Sequence, residues 1–502
     1  MNFTKKMITL EIADDMVFHL LHFVDSNFII TTCLRVSKQW FEQSIRIPLR
    51  LHLQHNNMSK QLPSMLNCPI LSINQRLTQL HLSHNVLCDE GAVCIASSPS
   101  VVNLIELDVS FACIGMAGAE AIGSSSYLGR LTHLNMRCNR LNSQGIGFII
   151  SSKVLRNLSY LDVMGNNEND FCRIKPSRFM KNLQTLIIGH NEAYYRETCK
   201  LTRSIVKSAH MGNLTILDFE ESGLDSKSGV LIGSSPYLSN LTHLFLGWNH
   251  IRDEGIQCIV SSPYLTKLKK LNVRSNQIIH GLENSQLLQL TSLDCALNFI
   301  SASVENLMMK NINFCNVQCL ELDSCGIDPM AAKAIASNPN FTNLKRLNLS
   351  ANRIRDDGFT SIVQSDTLIN LTELLVDLNY IGLNGLKSIV GSCLLSHLNT
   401  LGLGFNEFGS EGVVLLVNNP SLCNLICLDL SENRLDDEDA ILIAGCQHFN
   451  NLTSLVVNNN CKMGQRGILA LHSGLPKLND LKTTGIKYAL VGDEQDEEED
   501  IW

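Results

Sequence analysis

The sequence contains few aromatic and few charged residues. Phe, Trp and Tyr make up 6% of its 502 residues, and Asp, Glu, Lys and Arg make up 18%, below the roughly 25% charged residues of an average soluble domain. It also lacks any run of about 18 uninterrupted apolar residues, so we predict no membrane span. Because 45% of the residues are hydrophobic, the chain must bury a large apolar surface.

A secretory apolar core and a disulfide framework are also missing. Glu11, Asp14 and Asp15 interrupt the segment that follows the N-terminal lysines. The 18 cysteines have no framework spacing, and many occupy apolar repeat positions, as reduced thiols of a cytosolic protein do. We therefore expect a cytoplasmic protein without disulfides, with the nucleus as an alternative location.

The negative charge is concentrated near residue 500. The formal net charge is −8, and seven acids lie between Asp493 and Asp500, so the remainder of the chain carries a net charge of −1. A nearly neutral body without a basic block argues against nucleic acid as a partner. We expect residues 492–502 to form an acidic, disordered tail that aids solubility.

An internal repeat dominates the rest of the sequence. Aligned on a recurrent asparagine, it gives fifteen positions, and eleven of the fourteen intervals are 27 residues. A buried Asn amide can bond backbone groups of its own repeat and of the adjacent repeat, which predicts a hydrogen-bonded ladder. These ladder positions are 85, 112, 139, 166, 191, 222, 249, 276, 298, 325, 352, 379, 406, 433 and 460, all Asn except Ala112, Ser222 and Cys325.

Each repeat combines two periods. The L-x-L-x-x-N-x-L segment alternates like a short strand, and the following apolar spacing of three and four residues predicts a helix. Asp89, Asp253 and Asp356 stand where an N-cap is expected. Six residues after the ladder position comes a glycine, where we expect crowding or a need for backbone freedom, and fourteen after it comes a proline that should end the helix. The glycines are 91, 118, 145, 255, 358, 385 and 412, and the prolines are 99, 236, 263, 339 and 420.

Together these residues resemble the ribonuclease-inhibitor class of leucine-rich repeats over roughly residues 70–490. The resemblance implies an α/β leucine-rich-repeat solenoid: a curved horseshoe with parallel strands on the concave face and helices on the convex face. It also implies a concave face that binds another protein, and no chemistry. We divide the chain into a small helical segment at 1–48, a repeat domain of about fifteen repeats at 49–491, and the tail at 492–502.

Some repeats are irregular. The 22-residue interval from Asn276 to Asn298 is too short for a full helix and predicts a turn or loop. The repeat near 166 lacks the glycine and the usual helical spacing, and the repeat near 191 carries four extra residues. They are either drift tolerated on a loop or an insertion that contacts a partner through Tyr194, Tyr195 and Arg196.

Residues between the inward leucines are expected on the concave face. They include the aromatic residues Phe111, Phe245, Trp248 and Phe405 and the acids Asp218, Glu220, Glu221, Glu321, Asp323, Asp377 and Glu432. We place the contact centre at Phe245 and Trp248, beside Glu220 and Glu221. The alternative is that these aromatic rings pack on their neighbours. An acidic face with exposed aromatic anchors favours a basic protein surface or peptide.

The predicted partner-binding set is smaller than that face. It consists of Phe111, Glu220, Glu221, Phe245, Trp248, Asp323, Asp377 and Phe405. An Asp or Asn directly after the first strand leucine recurs too regularly to specify a partner, and we assign it to the repeat itself. This second set is Asp108, Asn135, Asp162, Asp218, Asn272, Asn348 and Asp429.

No arrangement of residues predicts catalysis or a cofactor. Gly402, Gly404 and Gly409 mimic a phosphate-binding loop, but no lysine follows them. Cys315, Cys319 and Cys325 lack paired C-x-x-C spacing, and Cys325 is a ladder position, so we expect no zinc. We predict that the protein is not an enzyme and holds neither cofactor nor metal.

Residues 1–48 carry a different pattern. One amphipathic helix is predicted to end near Phe23, and a second ends in Val36-Ser37-Lys38-Gln39-Trp40. The segment resembles an F-box, the module that binds the Skp1 adaptor of cullin ubiquitin ligases, although the usual proline near its start is missing. The alternative is a cap over the core of the first repeat. The resemblance implies an adaptor-binding set of Met16, Leu20, Phe23, Val36 and Trp40.

The combined pattern predicts a protein–protein interaction scaffold that acts as the substrate receptor of a Skp1–cullin-type ubiquitin ligase. One alternative is a free-standing scaffold or inhibitor whose N-terminal segment is only a cap. Another is a GTPase-activating leucine-rich-repeat protein, because proteins of that class also combine such repeats with an acidic tail.

Overall fold

The computed structural model describes residues 49–52, 62–63, 66, 77–166, 176, 178–191, 202–282, 285–300 and 314–484. The chain divides into two compact halves, Met1–Phe245 and Leu246–Trp502. The predicted N-terminal segment, the Tyr194–Arg196 insertion and the acidic tail lie outside the described residues.

The N-terminal half stacks short parallel strands with helices between them. Its strands β1–β8 are Leu49–His52, Leu77–His81, Glu106–Asp108, His133–Asn135, Tyr160–Asp162, Thr185–Ile187, Ile216–Asp218 and His243–Phe245. The α-helices of this half with both ends among the described residues are α1–α4: Cys88–Ser97, Met116–Ser124, Asn142–Ile150 and Ser226–Gly233. Consecutive strands pair parallel, with Leu107 opposite Leu134 and Leu134 opposite Leu161.

The C-terminal half repeats this arrangement. Its strands β9–β17 are Lys270–Asn272, Ser292–Asp294, Cys319–Glu321, Arg346–Asn348, Glu373–Leu375, Thr400–Gly402, Cys427–Asp429, Ser454–Val456 and Asp480–Lys482. Its helices α5–α11 are Arg252–Val260, Pro329–Ser337, Arg355–Val363, Leu383–Lys387, Gly409–Val417, Asp437–Ala444 and Gln465–Gly474. No helix lies among the described residues between β9 and β10, which confirms the loop predicted for the short interval.

The asparagine ladder is present, and Asn352 illustrates its chemistry. Its side-chain amide donates to the carbonyls of Leu349 in its own repeat and Leu322 in the preceding repeat, at 2.8 and 2.9 Å. Its carbonyl oxygen accepts from the backbone N–H groups of Cys325 and Ile327, at 3.0 and 2.9 Å. One buried side chain thus bonds the N–H and C=O groups of the turn, which no longer pair with a neighbouring strand.

The three substituted ladder positions are weaker. The Cys325 thiol reaches the Cys295 carbonyl at 3.2 Å, and the Ser222 hydroxyl donates to the Glu220 carbonyl at 3.1 Å. Ala112 has no polar side chain, but its backbone N–H donates to Asn139 at 3.0 Å. The repeat therefore tolerates a missing amide when the next repeat supplies one.

Two further side-chain ladders connect successive repeats. A serine after the helix donates to a helical carbonyl of the preceding repeat, as Ser125 does to Ala96 and Ser392 does to Val363, both at 2.5 Å. Near the start of the next strand, an asparagine donates to a carbonyl 28 residues earlier. Asn370 bonds Thr342 at 2.7 Å, and Asn451 bonds Cys423 at 2.9 Å.

The predicted N-cap role of Asp89, Asp253 and Asp356 is wrong. Each lies one residue inside its own helix, whose cap is Leu87, Ile251 or Ile354 without a side-chain bond. Their carboxylates bond the next repeat instead. Asp89 accepts from Gly115 and Gly118 at 2.7 and 2.8 Å, Asp253 accepts from Ile279 and His280 at 2.7 and 2.9 Å, and Asp356 accepts from Gly382 at 2.7 Å.

The reason is an alternation between two helix starts. In one type the helix begins three residues after the ladder position, at a residue of positive φ: Cys88, Asn142, Arg252, Arg355 and Gly409. In the other type it begins four residues after the ladder position, or five in the repeat of Asn460, behind an extended N-cap that needs an acceptor. When that N-cap is Asp225, Asp328 or Asp436, its own carboxylate caps the helix. When it is Gly115, Gly382 or Gly464, an aspartate of the preceding repeat bonds the N-cap N–H.

The recurrent glycine is needed because a side chain would be too close to its neighbours, and not because the backbone needs conformational freedom. A Cβ on Gly118 would lie 2.6 Å from Ile114 and 2.8 Å from Ala92, and one on Gly358 would lie 2.9 Å from Ile354. Neither glycine has a positive φ. The recurrent prolines follow the helix as predicted. Pro99, Pro236, Pro339 and Pro420 each begin a short 3₁₀ helix that leads towards the next strand.

We predict that Asp89→Ala loosens helix α2 of the next repeat more than its own helix α1. The change removes the acceptor for the Gly115 and Gly118 N–H groups, and loss of a cap costs about 0.5–2 kcal/mol. Hydrogen exchange followed by mass spectrometry should show faster exchange at 115–118. Glu90→Ala, which alters the exposed next residue, is the control. Faster exchange confined to α1 would contradict the assignment.

We also predict that Asn352→Ala costs at least about 3 kcal/mol locally, because several buried backbone groups lose partners worth about 1–3 kcal/mol each. Hydrogen exchange of peptides spanning 319–354 measures this loss. The matched control is Asn370→Ala, which removes one exposed bond and should cost less than about 1 kcal/mol. Equal effects of the two changes would show that the ladder carries no special share of the stability.

Candidate functional site

The strands expose a polar face in each half. In a three-residue strand such as β3 or β12, the central leucine is fully buried and the flanking side chains are partly exposed. The core leucines thus lie on one side of the sheet, and the flanking residues form what we call the strand face. This alternation follows from the two-residue period of extended backbone.

An Asp or Asn recurs at the third strand position for a structural reason. Its side-chain oxygen accepts the backbone N–H two residues later, at 2.9 Å in Asp108 to Ser110 and 2.8 Å in Asp218 to Glu220. Asn272 and Asn348 form the same bond at 2.9 and 3.0 Å. This agrees with assigning the position to the repeat, because the side chain fixes the end of the strand.

Directly before each ladder position, the backbone turns through a positive φ. We call these residues the turn row. In the N-terminal half they are His84, Phe111, Cys138, Gly165, His190 and Glu221, and in the C-terminal half Trp248, Ser275, Leu297, Ser324, Ala351, Leu378, Phe405, Glu432 and Asn459. A left-handed conformation costs a residue with a side chain about 1–2 kcal/mol, yet only one member is glycine.

Hydrogen bonds to the following repeat hold the turn row in place. These bonds run from a backbone N–H to a backbone carbonyl. Phe111 donates to the carbonyl of Arg137 at 2.9 Å, Trp248 to that of Arg274 at 2.8 Å, and Phe405 to that of Ser431 at 2.7 Å. Phe111, Trp248 and Phe405 therefore lie in the turn that follows the strand, whereas Phe245 ends strand β8. The side chain of a turn-row residue can vary because its backbone supplies the bond.

The strand face of the N-terminal half is acidic. Burial raises the pKa of Asp162 and of Asp218, and the charge of Arg137 opposes that rise at both carboxyl groups. Burial also raises the pKa of Tyr160 to about 12, and the nearby Asp162 and Asp108 charges add to the rise. In the turn row, His190 pairs with Glu221 at 2.5 Å. Arg137 therefore acts on both buried carboxyl groups of this face.

Several strand-face acids of the C-terminal half are engaged within the protein, whereas Glu432 of the turn row is exposed. Arg274 bonds Asp323 at 2.6 Å, and Arg346 bonds Glu321 and Glu373, both at 2.5 Å. Burial alone would raise the pKa of Glu321, but its bonds to Arg346 and Asn348 and the Arg346 charge lower that pKa overall.

Asp377 is satisfied by neutral donors. It accepts from the Gly404 N–H at 2.7 Å and from the Ser350 hydroxyl at 3.0 Å, and burial raises its pKa. Glu321, Asp323 and Asp377 thus serve the stacking of repeats, which leaves them less available to a basic partner than the sequence predicts.

The C-terminal half instead exposes large apolar side chains along the turn. The exposed fractions are 71% for Phe299, 58% for Tyr380, 48% for Leu378 and 47% for Phe405. An open groove of about 500 Å³ lies between Phe299 at one end and Leu378 with Tyr380 at the other. Its remaining lining residues are Ser324, Gly326, Ala351, Asn352 and Arg353. Clustered exposed apolar side chains of this kind mark interaction surfaces.

The predicted contact residues differ in how exposed they are and in the side chains they contact. Phe111 is 43% exposed and stacks on His84 with ring centroids 4.3 Å apart, and Trp248 is 53% exposed. Phe245 is half-buried near His243, with centroids 6.3 Å apart. Glu220 and Glu221 are partly buried. The predicted adaptor-binding residues Met16, Leu20, Phe23, Val36 and Trp40 lie outside the described residues.

Phe299, Leu378 and Tyr380 were not predicted as site residues. Leu378 has the same turn-row position as Phe111, Trp248 and Phe405, so the sequence carried its signal. Phe299 and Tyr380 lie one residue after the ladder position, and that position is not among those predicted for the concave face. The signal for them is a large apolar residue directly after the ladder asparagine.

The chemical-looking motifs have structural roles. Burial raises the pKa of the Cys325 thiol to about 12, and no group of His, Cys, Asp and Glu within the described ranges could hold a metal ion. Gly404 donates its N–H to Asp377, and a Cβ on Gly402 would lie 2.6 Å from that carboxylate. Gly409 has a φ of 58° at the start of α9.

A family model described as "Leucine Rich repeat" matches residues 74–96, 102–123, 237–260, 342–363, 395–417 and 421–444. The six matched segments are leucine-rich repeats. The predicted leucine-rich-repeat solenoid fold is thereby confirmed. Domains of this kind generally serve as protein–protein interaction scaffolds and are typically non-enzymatic.

The crystal structure of an internalin from Listeria monocytogenes is 23% identical to the chain, covers 67% of it and 82% of the internalin chain, and has a TM-score of 0.43. The comparison with curated proteins gives no match. Within the part of the chain that the structure describes, no helix is both long and apolar enough to cross a membrane.

Proposed function

We propose that this leucine-rich-repeat protein is a binding scaffold that engages a partner protein through its strand face and turn row. The observation that carries the proposal is the set of exposed side chains at Phe299, Leu378, Tyr380 and Phe405. Aromatic side chains at repeating positions are typical anchors of protein interfaces.

The N-terminal half contributes a surface of different charge. Glu220 and Glu221 lie just after strand β7, outside the Asp and Asn positions that are assigned to the repeat. We infer that this half receives a basic segment of the partner, with Phe111 as an apolar anchor; a basic partner is what the sequence predicts for the acidic face as a whole. Phe245 and Trp248 remain proposed contacts, each within its own half.

We further propose that the scaffold is a substrate receptor of a Skp1–cullin-type ubiquitin ligase. Support comes from the sequence of residues 1–48, whose Phe23 and Val36-to-Trp40 pattern resembles an F-box. In this proposal the N-terminal segment binds the adaptor and the repeats select the protein to be ubiquitinated. The chain positions its partner and performs no chemistry itself.

The surface proposal predicts that Leu378→Asp with Phe405→Asp removes a specific set of proteins from those recovered with the full-length chain by proximity labelling. Two charges on the apolar surface should disrupt hot-spot contacts. The control is Val414→Asp with Leu442→Asp, which places the same charges on helices at similar exposure, 43% and 45%. Loss of the same proteins with both variants, or with neither, would refute binding at this surface.

The ligase proposal predicts that a purified Skp1-type adaptor coelutes with the full chain in size-exclusion chromatography. Phe23→Ala with Trp40→Ala should abolish coelution while the far-ultraviolet circular dichroism of the repeats stays unchanged. Phe18→Ala, a change outside the predicted adaptor-binding set, is the control. If the unaltered chain does not bind the adaptor, the segment is only a cap and the protein is a free-standing scaffold.

A further inference from the structure

The groove in the C-terminal half arises from a local change in side-chain size. In the turn row, Ser324 and Ala351 are small, whereas the next member, Leu378, is large. One residue after the ladder, the two positions between Phe299 and Tyr380 are Gly326, which has no side chain, and the flexible, exposed Arg353. Two successive repeats thus form a low floor between taller walls, which accounts for the open volume of about 500 Å³.

The dimensions of the groove suit an extended peptide. Three repeat steps separate the Phe299 wall from the Tyr380 wall, and neighbouring strands are about 4.8 Å apart, so the groove is about 14 Å long. An extended chain rises about 3.3 Å per residue, so about four residues fit between the walls. Each wall carries an aromatic ring, with exposed fractions of 71% and 58%, that offers apolar contact to a large side chain of the peptide.

The groove also contains one available cation. Arg353 lines it, is exposed, and has no carboxylate within 4.0 Å of its guanidinium among the described residues. The two acids that border the floor are already engaged: Asp323 bonds Arg274 at 2.6 Å, and Asp377 accepts from Gly404 at 2.7 Å. A guanidinium in this setting favours a carboxylate ligand.

We propose that this groove binds a linear peptide segment of a partner protein that carries an acidic residue close to a large aromatic residue. The acid pairs with Arg353, and the aromatic side chain lies between Phe299 and Tyr380. The inference rests on the proposed scaffold function and names the chemistry of one of its ligands. It differs from the basic segment proposed for the N-terminal half, because that half exposes acids and this groove exposes an arginine.

The test uses the full chain and a fluorescent seven-residue peptide, Gly-Ser-Asp-Ser-Trp-Ser-Gly, in which the acid and the indole lie on the same side when extended. Fluorescence anisotropy should show saturable binding. Peptides with Lys in place of Asp, or Ala in place of Trp, should bind at least about tenfold more weakly. Equal binding of the Lys peptide would overturn the charge assignment, and no binding of any peptide would overturn the proposal.

Filling the groove with a large side chain tests whether the peptide binds there. Ala351→Trp places a large ring on the floor at a φ of 56°, a conformation in which Trp248 already carries the same side chain at 57°. Ser275→Trp is the matched control, because Ser275 has a turn-row φ of 53° and does not line the groove. We expect Ala351→Trp to weaken binding at least about tenfold and Ser275→Trp to leave it unchanged.

Arg353→Glu completes the set. It should weaken binding of the Asp peptide and strengthen binding of the Lys peptide, a reversal that a loss of folding cannot produce. If Ala351→Trp binds like the unaltered chain, the groove is not the site. If the peptide fails while Leu378→Asp with Phe405→Asp still removes labelled partners, the scaffold function stands and only this inference falls.

Discussion

The structure depends on satisfying backbone groups where each short strand turns towards its helix. A three-residue strand can pair only a few N–H and C=O groups, and the turn behind it is buried, so unpaired groups there are costly. The ladder asparagine meets this need with one side chain that bonds two repeats, as Asn352 does. The serine after the helix and the asparagine before the strand likewise bond backbone carbonyls of the preceding repeat, at the other two turns of the repeat. Stability is thus shared between neighbours, as expected of a solenoid.

The two kinds of helix start show that the acceptor for a helix N-terminus can come from the same repeat or from the preceding one. An extended N-cap requires an acceptor, and the sequence supplies it either in place, as at Asp328, or one repeat earlier, as at Asp89. A glycine at the N-cap, such as Gly115, removes the local acceptor and leaves its N–H open to the carboxylate of the preceding repeat. Capping is therefore a property of a pair of repeats, and this is why a single helix gave the wrong prediction.

Much of the fold was predictable because its signals are periodic. Ladder positions, strand leucines, crowded glycines and helix-ending prolines recur at fixed offsets, so each repeat confirms the others. The site was less predictable, because exposure depends on which neighbours are small. Trp248 and Phe405 could be identified from their own type, but the groove at Ala351 exists only because Ser324 and Gly326 are also small. The partners of Asp323 and Asp377 were likewise hidden, since Arg274 and Gly404 lie 49 and 27 residues away along the chain.

The turn row has a consequence for how such a protein changes over time. Its members share one backbone conformation and similar N–H bonds, yet they include His, Phe, Cys, Glu, Trp, Ser, Leu, Ala and Asn. The main chain thus supplies the architecture at each of these positions while the side chain is left unspecified. A substitution there can alter recognition without disturbing the stack, one repeat at a time. The side chains of the turn row can therefore change independently of one another, and new binding specificity can evolve without a new fold.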